Sequence, residues 1–486
     1  MSKVLPPLDT LKPDDAWQPW TPDARQPWDL KWAAHLYRRA AFGATLDELR
    51  AAVPDGFPVT LERLLSGSLN QSDLDTLIAR SGESISRGGD VGNLRGWWLY
   101  AILHGGHPLR EKMTLFWHNH FATSNAKVRS TGLMFRQNQS LRRAALGHFG
   151  AMLADLSRDP AMLIWLDSNR NVKGAANENF ARELLELFAL GVGHYSERDV
   201  REAARAFTGW HTDGEHFTYT PRFHDDGEKT LLERTGRWDG VDVQKLILDQ
   251  PAAAMFLVRK LYGYLVSETA EPPEALLEPL AIRYRRTDYD TGDLVATILR
   301  SRHFYSDYAY RQRVKSPVEH IIGLVRVGRP GYAPRDLVPW LEQMGQPLFT
   351  PPNVKGWTGG KSWLNSATVL ARQNFAEHMV GPPASGSPKA PPSPGSDAPP
   401  PAPAPTVTAD LPMTPLASLV RKEQRSEPGQ VAELLADLFL NGDMAAERRA
   451  KLVAFLADDS PKGADWVRRV GEAAHALVCS PEFHLA

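Results

Sequence analysis

The chain of 486 residues contains a single cysteine, Cys479. One thiol excludes an internal disulfide framework, a zinc site built from several cysteines, and a cysteine-held iron–sulfur cluster. An excess of charge of one sign is also missing, because 56 Lys and Arg residues stand against 57 Asp and Glu residues, for a formal net charge of -1. No global electrostatic field draws this chain to a polyanion, so we expect no nucleic-acid partner.

Long apolar runs are absent as well. No stretch approaches the roughly 18 apolar residues that cross a bilayer, so we expect no transmembrane segment. The beginning of the chain, MSKVLPPLDTLKPDDAWQPW, lacks the apolar core of a secretory signal and carries paired prolines and paired aspartates. As written, the sequence therefore predicts a cytoplasmic protein, with export expected only if the native N-terminus is missing.

Apolar and aromatic residues are plentiful, at 42% and 9%, which is enough material for a large core. Most apolar residues recur at helical spacing, which predicts a mainly α fold with a multi-helix, bundle-like body. A small β-hairpin insertion is expected between residues 212 and 240, where Phe217, Tyr219 and Phe223 alternate among turn residues.

We expect four regions along the chain. An irregular arm, residues 1–28, precedes the main helical domain at residues 29–380. Residues 381–406 are rich in Pro, Ala, Ser and Gly and predict a disordered linker. Residues 407–486 return to amphipathic patterns and predict a C-terminal helical module that is docked on the main body, because so short a unit has little core of its own.

Helix start signals are explicit at three places. Thr45 with Glu48, and Ser196 with Asp199, have the spacing of a capping box. Asp159 precedes a proline, which suits an N-cap followed by the first helical residue.

The stretch from Asn177 to Trp210 is the strongest candidate for a functional centre. Apolar residues recur every three or four positions from Phe180 to Phe188, which predicts one buried helix face. Three carboxylates occupy the other faces, namely Glu178, Glu183 and Glu186. Helical carboxylates combined with histidines of another helix form the metal sites of many bundles. The alternative is ordinary salt-bridge spacing, since Arg182 lies four residues from both Glu178 and Glu186.

His118 and His120 flank Asn119 where a helix is expected to end. In a terminating segment both imidazoles are able to point the same way, and imidazole is a common ligand of transition metals. In the alternative interpretation, one histidine caps helix carbonyls and the other packs in the core.

Two further groups bear on catalysis. In the turn that contains His224, Asp225 is placed to orient the imidazole for general-base chemistry, although an Asx turn at the surface explains the same residues. Arg182 or Arg205 is a candidate for neutralising an anionic substrate or intermediate. The glycines and tryptophans of residues 352–365 suit the binding of a ring or an anion, but we favour a buried, tightly turned structural loop, which the same composition suits.

Several segments together resemble the bacterial family known as domain of unknown function 1800. They are RRAAFGAT, REKMTLFWHNHFATS, DPAMLIWLD, NENFARELLELFALGVGHYSERDVREAARAFTGW, VKSPVEH and PPNVKGWTGGKSWLN, together with the His224–Asp225 turn. The resemblance implies a mostly helical protein and implies no particular reaction.

Our leading hypothesis from the sequence is a metal-dependent hydrolase or oxidoreductase. Its metal ligands are drawn from His118, His120, Glu178, Glu183 and Glu186, and its catalytic residues from His224, Asp225, Arg182 and Arg205. Histidine and carboxylate ligands without thiolates suit Zn, Mn, Fe or Cu. The rival hypothesis is a noncatalytic helical binding or scaffolding protein whose polar cluster is a structural network. Neither hypothesis specifies a substrate or an oligomeric state.

Overall fold

Helices dominate the computed structural model, which describes residues 5–68, 71–328, 332–380, 415–425, 427–457 and 464–486. The expected linker at residues 381–406 lies outside the described residues. The first helices, in chain order, are α1 Pro13–Ala16, α2 Leu30–Ala40, α3 Leu46–Asp55, α4 Phe57–Ser66, α5 Gln71–Ser86, α6 Val91–His104, α7 Pro108–His120, α8 Asn125–Val128, α9 Thr131–Ala144, α10 Phe149–Ser157, α11 Pro160–Trp165, α12 Asn179–Glu183 and α13 Glu197–Ala206.

A β insertion separates these helices from the rest. Strands β1 Trp210–Thr212 and β2 Phe217–Tyr219 pair antiparallel, and so do β3 Lys229–Leu231 and β4 Arg234–Gly236. The remaining helices are α14 Gly240–Leu248, α15 Pro251–Leu265, α16 Glu274–Arg286, α17 Thr291–Arg300, α18 Pro317–Gly328, α19 Val338–Gln343, α20 Ser366–Val380, α21 Pro415–Lys422, α22 Pro428–Leu440, α23 Ala446–Ala457, α24 Ala464–Val478 and α25 Pro481–His484. The prediction of a mainly α fold with a small hairpin insertion is confirmed.

The predicted helix starts are also confirmed. The Thr45 and Ser196 side chains each accept from the backbone three residues on, and the acidic residue at that position reaches back to the cap. Asp159 caps α11 and Pro160 is its first residue. These contacts satisfy backbone N–H groups that have no partner within the helix, so the sequence alone determines where these helices begin.

One helix departs from the expected geometry. The stretch predicted as a single amphipathic α-helix begins at Asn179, but residues Leu184–Ala189 are wound as a π-helix. In a π-helix each backbone N–H bonds to the carbonyl five residues earlier, so the helix is wider than an α-helix. Its side chains therefore point in directions that differ from those expected for α-helical winding. Leu184, Leu185 and Phe188 are buried, whereas Glu186 and Leu187 are only half-buried.

Two large hydrophobic clusters fill most of the interior, and a small third one contains Val314, Trp357 and Trp363. The first includes Trp117, Phe149 and Leu184, and lies beneath the π-helical segment. The second includes Trp98 of α6 and Phe439 of α22, so one core contains side chains from both the main body and the C-terminal helices. In the described part of the chain, no helix has the length and apolar character needed to cross a membrane.

Candidate functional site

His118 lies in an apolar environment at the end of α7. Its side chain is buried, and its ring stands edge-on to Trp98 with 5.0 Å between ring centroids. The backbone N–H of Phe349 donates to its Nε2 atom at 3.2 Å. Burial lowers the pKa of His118 to about 3, so the imidazole is neutral at physiological pH.

His120 points to a different neighbour. Its Nε2 donates to the carbonyl of Phe188 at 3.0 Å, and Lys260 Nζ donates to its Nδ1 at 3.2 Å. Burial, and then the charge of Lys260, hold the pKa of His120 well below its usual range. The two histidines therefore have separate partners, and the expectation that their side chains point to a common centre is corrected.

The same contacts explain how the π-helical segment is held. Lys260 Nζ also donates to the carbonyl of Leu187 at 2.9 Å. Lys260 and His120 thus satisfy two neighbouring carbonyls that the wider winding presents to them. Burial lowers the pKa of Lys260 to about 8, so this amine gives up its proton more readily than an ordinary lysine.

Glu178 and Arg182 form part of a surface ion network. Arg182 bonds to Glu178 at 3.0 Å and to both carboxylate oxygens of Glu197 at 2.8 and 2.9 Å. This arrangement ties α12 to α13, and it matches the salt-bridge alternative for Glu178.

Asp225 bonds to Arg205, and the expectation that it orients His224 is corrected. Arg205 Nε donates to Asp225 Oδ2 at 2.8 Å, and the same arginine bonds to Glu202 at 2.7 Å. His224 Nδ1 instead bonds to the Thr208 carbonyl at 2.9 Å. These bonds fasten the turn at residues 224–227 to the end of α13.

Glu183 and Glu186 remain as a half-buried carboxylate pair. Tyr195 Oη donates to Glu186 at 3.3 Å, and Lys355 Nζ lies 3.8 Å from the other oxygen of Glu186. Among the described residues, the carboxylate of Glu183 has no hydrogen bond or ion pair. Burial raises the pKa of Glu183, and the charge of Glu186 raises it further, whereas Lys355 and Arg182 act in the opposite direction.

Three segments far apart in the chain meet at this pair. Asn119, between the two histidines, accepts from Trp357 N at 2.7 Å and donates to the Trp357 carbonyl at 3.2 Å. These bonds hold the loop that brings Lys355 to Glu186. The end of α7, the π-helical segment and the loop at residues 352–363 therefore enclose one polar surface.

The predicted ligands do not come together as one metal centre. Across the residues that the structure describes, no three His, Cys, Asp or Glu side chains are grouped so that they could share an ion. The pair Glu183 and Glu186 is the part of the predicted ligand set that the fold brings together.

Sequence reasoning missed several charged groups that the fold buries wholly or in part. Lys260 is half-buried, and the fully buried Lys112 forms an ion pair with Glu319 across 207 positions of the chain. Lys112 is three residues after Leu109 and four before Phe116, both buried, so it occupies the apolar stripe of α7. A charged residue in the apolar stripe of a helix requires a buried partner, so this pattern in the sequence could have identified Lys112 as a member of a buried ion pair.

We predict that Glu186→Gln lowers the pKa of Glu183, because the substitution removes a neighbouring negative charge. NMR titration of carboxyl carbons in glutamate-labelled protein measures this directly. Glu83→Gln serves as the control, since Glu83 is exposed and pairs with Arg87 one helical turn away. An unchanged Glu183 titration in Glu186→Gln would contradict the proximity of the two carboxylates.

Comparison with known proteins gave one match. A family model described as a protein of unknown function, DUF1800, matches residues 35–485. No curated protein and no solved structure matches the chain. The matched region includes every candidate residue described above and covers nearly the whole sequence, so the chain belongs to the DUF1800 family.

Proposed function

We propose that this protein is a hydrolase whose acid–base chemistry is carried by Glu183 and Glu186. The observation that supports this is the unequal environment of the two carboxylates. Glu183 is half-buried with a raised pKa, whereas Glu186 is held by Tyr195 and Lys355. Neighbouring carboxyl groups with different proton affinities divide the roles of proton donor and ionised partner in many hydrolases. In hydrolysis water attacks and displaces the leaving group, and its proton passes to that group, a transfer that these carboxyls are suited to carry, whereas oxidation also requires an electron acceptor.

A groove just beyond the C-terminal end of the π-helical segment offers a place for the substrate, and neither Glu183 nor Glu186 lines it. It has a volume of about 780 Å³, within the usual range for ligand sites. Leu190 and Gly191, which directly follow the π-helical segment, form one wall, and Phe256 of α15 forms another. The Phe256 ring is 4.7 Å from Lys260 Nζ. We propose that the apolar part of the substrate lies in this groove.

In the metal-dependent form of the proposal, Glu183 and Glu186 bind a divalent cation. Two carboxylates with water molecules suit Mn²⁺, which prefers oxygen ligands. His118, His120 and Glu178 are engaged elsewhere, so we propose no ligand role for them. Cation binding requires Glu183 to be ionised, and therefore excludes its use as the proton donor. Elemental analysis of protein purified without chelator distinguishes the two forms.

The test is hydrolysis of chromogenic esters, phosphate esters, glycosides and anilides by the wild-type chain and two variants. We expect turnover of one class, and a loss of about 10²–10⁴-fold in kcat/KM for Glu183→Gln, the usual contribution of a general acid or base. Glu186→Gln should shift the pH profile toward lower pH. Glu83→Gln should match the wild type. No turnover of any class, or equal turnover by Glu183→Gln, would overturn the proposal.

The rival function is a noncatalytic helical scaffold, and specific contacts favour it. His118, His120 and the Arg205–Asp225 pair each join segments that are distant in sequence. A scaffold predicts that Glu183→Ala and His118→Ala lower the melting temperature, release no metal and affect no hydrolysis. The hydrolase proposal predicts that Glu183→Gln keeps its melting temperature and loses turnover.

A further inference from the structure

Lys260 brings its amine to the π-helical segment without an acidic partner. The residue belongs to α15 and is half-buried, so part of it reaches solvent. Its Nζ donates to the Leu187 carbonyl at 2.9 Å and to His120 Nδ1 at 3.2 Å. Among the described residues, no carboxylate forms an ion pair with this amine. Because an ammonium that leaves water without a counter-charge is unfavourable, the site favours the neutral amine.

The two acceptors match the two N–H groups of a neutral amine. An ammonium has a third N–H, and the described residues offer no third acceptor within hydrogen-bond distance of Lys260 Nζ. The Phe256 ring, whose centroid is 4.7 Å from Nζ, is an apolar neighbour. A neutral amine in this position therefore keeps its lone pair free of hydrogen bonds, as a nucleophile requires.

His120 is placed as a base for this amine. Its Nε2 bonds to the Phe188 carbonyl at 3.0 Å, and a carbonyl only accepts, so the proton of the neutral imidazole is on Nε2. The lone pair of Nδ1 therefore faces Lys260 Nζ. A nucleophile that is hydrogen-bonded to a base, with the base oriented by a third group, is the arrangement that activates nucleophiles in covalent catalysis. The third group here belongs to a π-helical turn, a type of winding that recurs at functional sites.

The surroundings of the amine indicate which compounds it would attack. Burial lowers the pKa of Lys260 to about 8, and near neutral pH such a lysine holds on the order of 10²-fold more neutral amine than an ordinary lysine. Lysines of this kind attack carbonyl carbon. Phe256 also forms a wall of the groove described above, together with the apolar residues Leu190, Ala252 and Met255. A carbon chain attached to Nζ would therefore have apolar surface beside it.

We propose that Lys260 is a nucleophile that forms a Schiff base with an apolar aldehyde, and that His120 carries the proton. Nζ attacks the carbonyl carbon and forms the C–N bond, while the carbonyl oxygen takes a proton from solvent and Nζ passes one to His120 Nδ1. The hydroxyl then leaves as water with that proton, and a protonated C=N bond remains. Its single N–H donates to the Leu187 carbonyl. This step uses neither Glu183 nor an electron donor, so it does not depend on the proposed hydrolase activity.

Reductive trapping of the full chain with hexanal and cyanoborohydride tests the proposal. Cyanoborohydride supplies the hydride that converts the Schiff base into a stable secondary amine. Peptide mass mapping at neutral pH then compares the lysines of one sample. Lys260 should be labelled roughly tenfold or more faster than Lys451, an exposed lysine that pairs with Glu447. Lys260→Arg keeps donors for the Leu187 carbonyl and should lose only the fast phase of labelling.

His120→Gln separates the base from a purely structural contact. The glutamine amide is able to accept from Lys260 and to donate to the Phe188 carbonyl, but it is not a base. The melting temperature should stay close to that of the wild type, whereas labelling of Lys260 should slow about 10²-fold, the contribution of a general base. Labelling of Lys451 should not change.

The comparison of two lysines within the wild type requires no variant, so the test stays decisive if His120→Gln does not fold. The proposal is overturned if Lys260 is labelled no faster than Lys451. It is also overturned if folded His120→Gln is labelled at Lys260 as fast as the wild type.

Discussion

Replacing Glu319 with glutamine is expected to lower the free energy of unfolding by about 3–5 kcal/mol, the range for removing one partner of a buried ion pair. Lys112 has no exposed side-chain surface, and only 4% of the Glu319 side chain is exposed. Lys112 would lose its carboxylate partner, whereas Arg313 would retain the more distant Glu268, whose Oε2 lies 3.9 Å from its Nε. Both cations are too deeply buried to be solvated by water instead. Guanidinium-induced unfolding in phosphate-free buffer measures the loss.

Two comparisons make this result specific. Glu447→Gln breaks an exposed ion pair with Lys451, and should change stability by less than about 0.5 kcal/mol. The double variant Lys112→Met/Glu319→Gln should be more stable than Glu319→Gln alone, because it removes the orphaned cation. Equal effects of Glu319→Gln and Glu447→Gln would show that the buried pair is not a stabilising contact.

The pH dependence follows from the same pair. Burial disfavours the ionised form of Glu319, but Arg313 and Lys112 outweigh it and hold the pKa of this carboxyl well below its usual range. A depressed carboxyl pKa stabilises the fold above the pKa of the unfolded chain, and this contribution is lost as the pH falls toward the folded value. The wild type should therefore lose stability below about pH 4.5, where free glutamate titrates, more steeply than Glu319→Gln.

Replacing Gly356 with alanine is expected to cost about 3 kcal/mol and to displace the loop at residues 352–363. Gly356 has a φ of 75°, and an added Cβ would lie 2.2 Å from Asn119 Oδ1 and 2.5 Å from the Asn119 carbonyl. The loop would have to move and give up its two bonds to Asn119, each worth about 1 kcal/mol, while alanine itself adds about 1 kcal/mol of backbone strain. Chemical denaturation gives the total, and hydrogen exchange at the Trp357 amide reports the local loss.

Gly359 provides the matched control. Its φ is 78°, but an added Cβ would meet only Trp363 Nε1, at 3.9 Å. Gly359→Ala should therefore cost about 1 kcal/mol from the backbone alone. If the two alanine variants lose the same stability, the close approach of Gly356 to Asn119 is not what holds the loop.

Contacts between residues close in sequence, such as helix caps, could be predicted from the sequence. Contacts between residues far apart in the chain could not. Thr45, Asp159 and Ser196 cap their helices through contacts three residues away, so their spacing is sufficient. The glycines and tryptophans of the 352–365 loop suit a tightly turned structural loop, and the packing of Gly356 against Asn119 fits that interpretation.

The candidate site depends on partners that no local pattern specifies. His118 meets Phe349 across 231 positions, and Lys260 meets His120 across 140. The expected cluster placed two histidines and three glutamates together because they are near in sequence or share a helix. Their side chains instead follow the packing of α7, α12 and α15, which brings together only Glu183 and Glu186.

The π-helical winding of residues 184–189 sets the direction in which the carboxylate pair faces. Successive residues of an α-helix are about 100° apart around its axis, since 3.6 residues complete a turn. Wider winding holds roughly one residue more in the same length. Shortening this segment by a single residue would restore ordinary winding and rotate Glu183 by about that angle relative to α13. The direction in which the Glu183 and Glu186 carboxylates face is therefore set by the number of residues in one helical turn. An insertion or deletion within residues 184–189 would alter this surface more than most single substitutions on it.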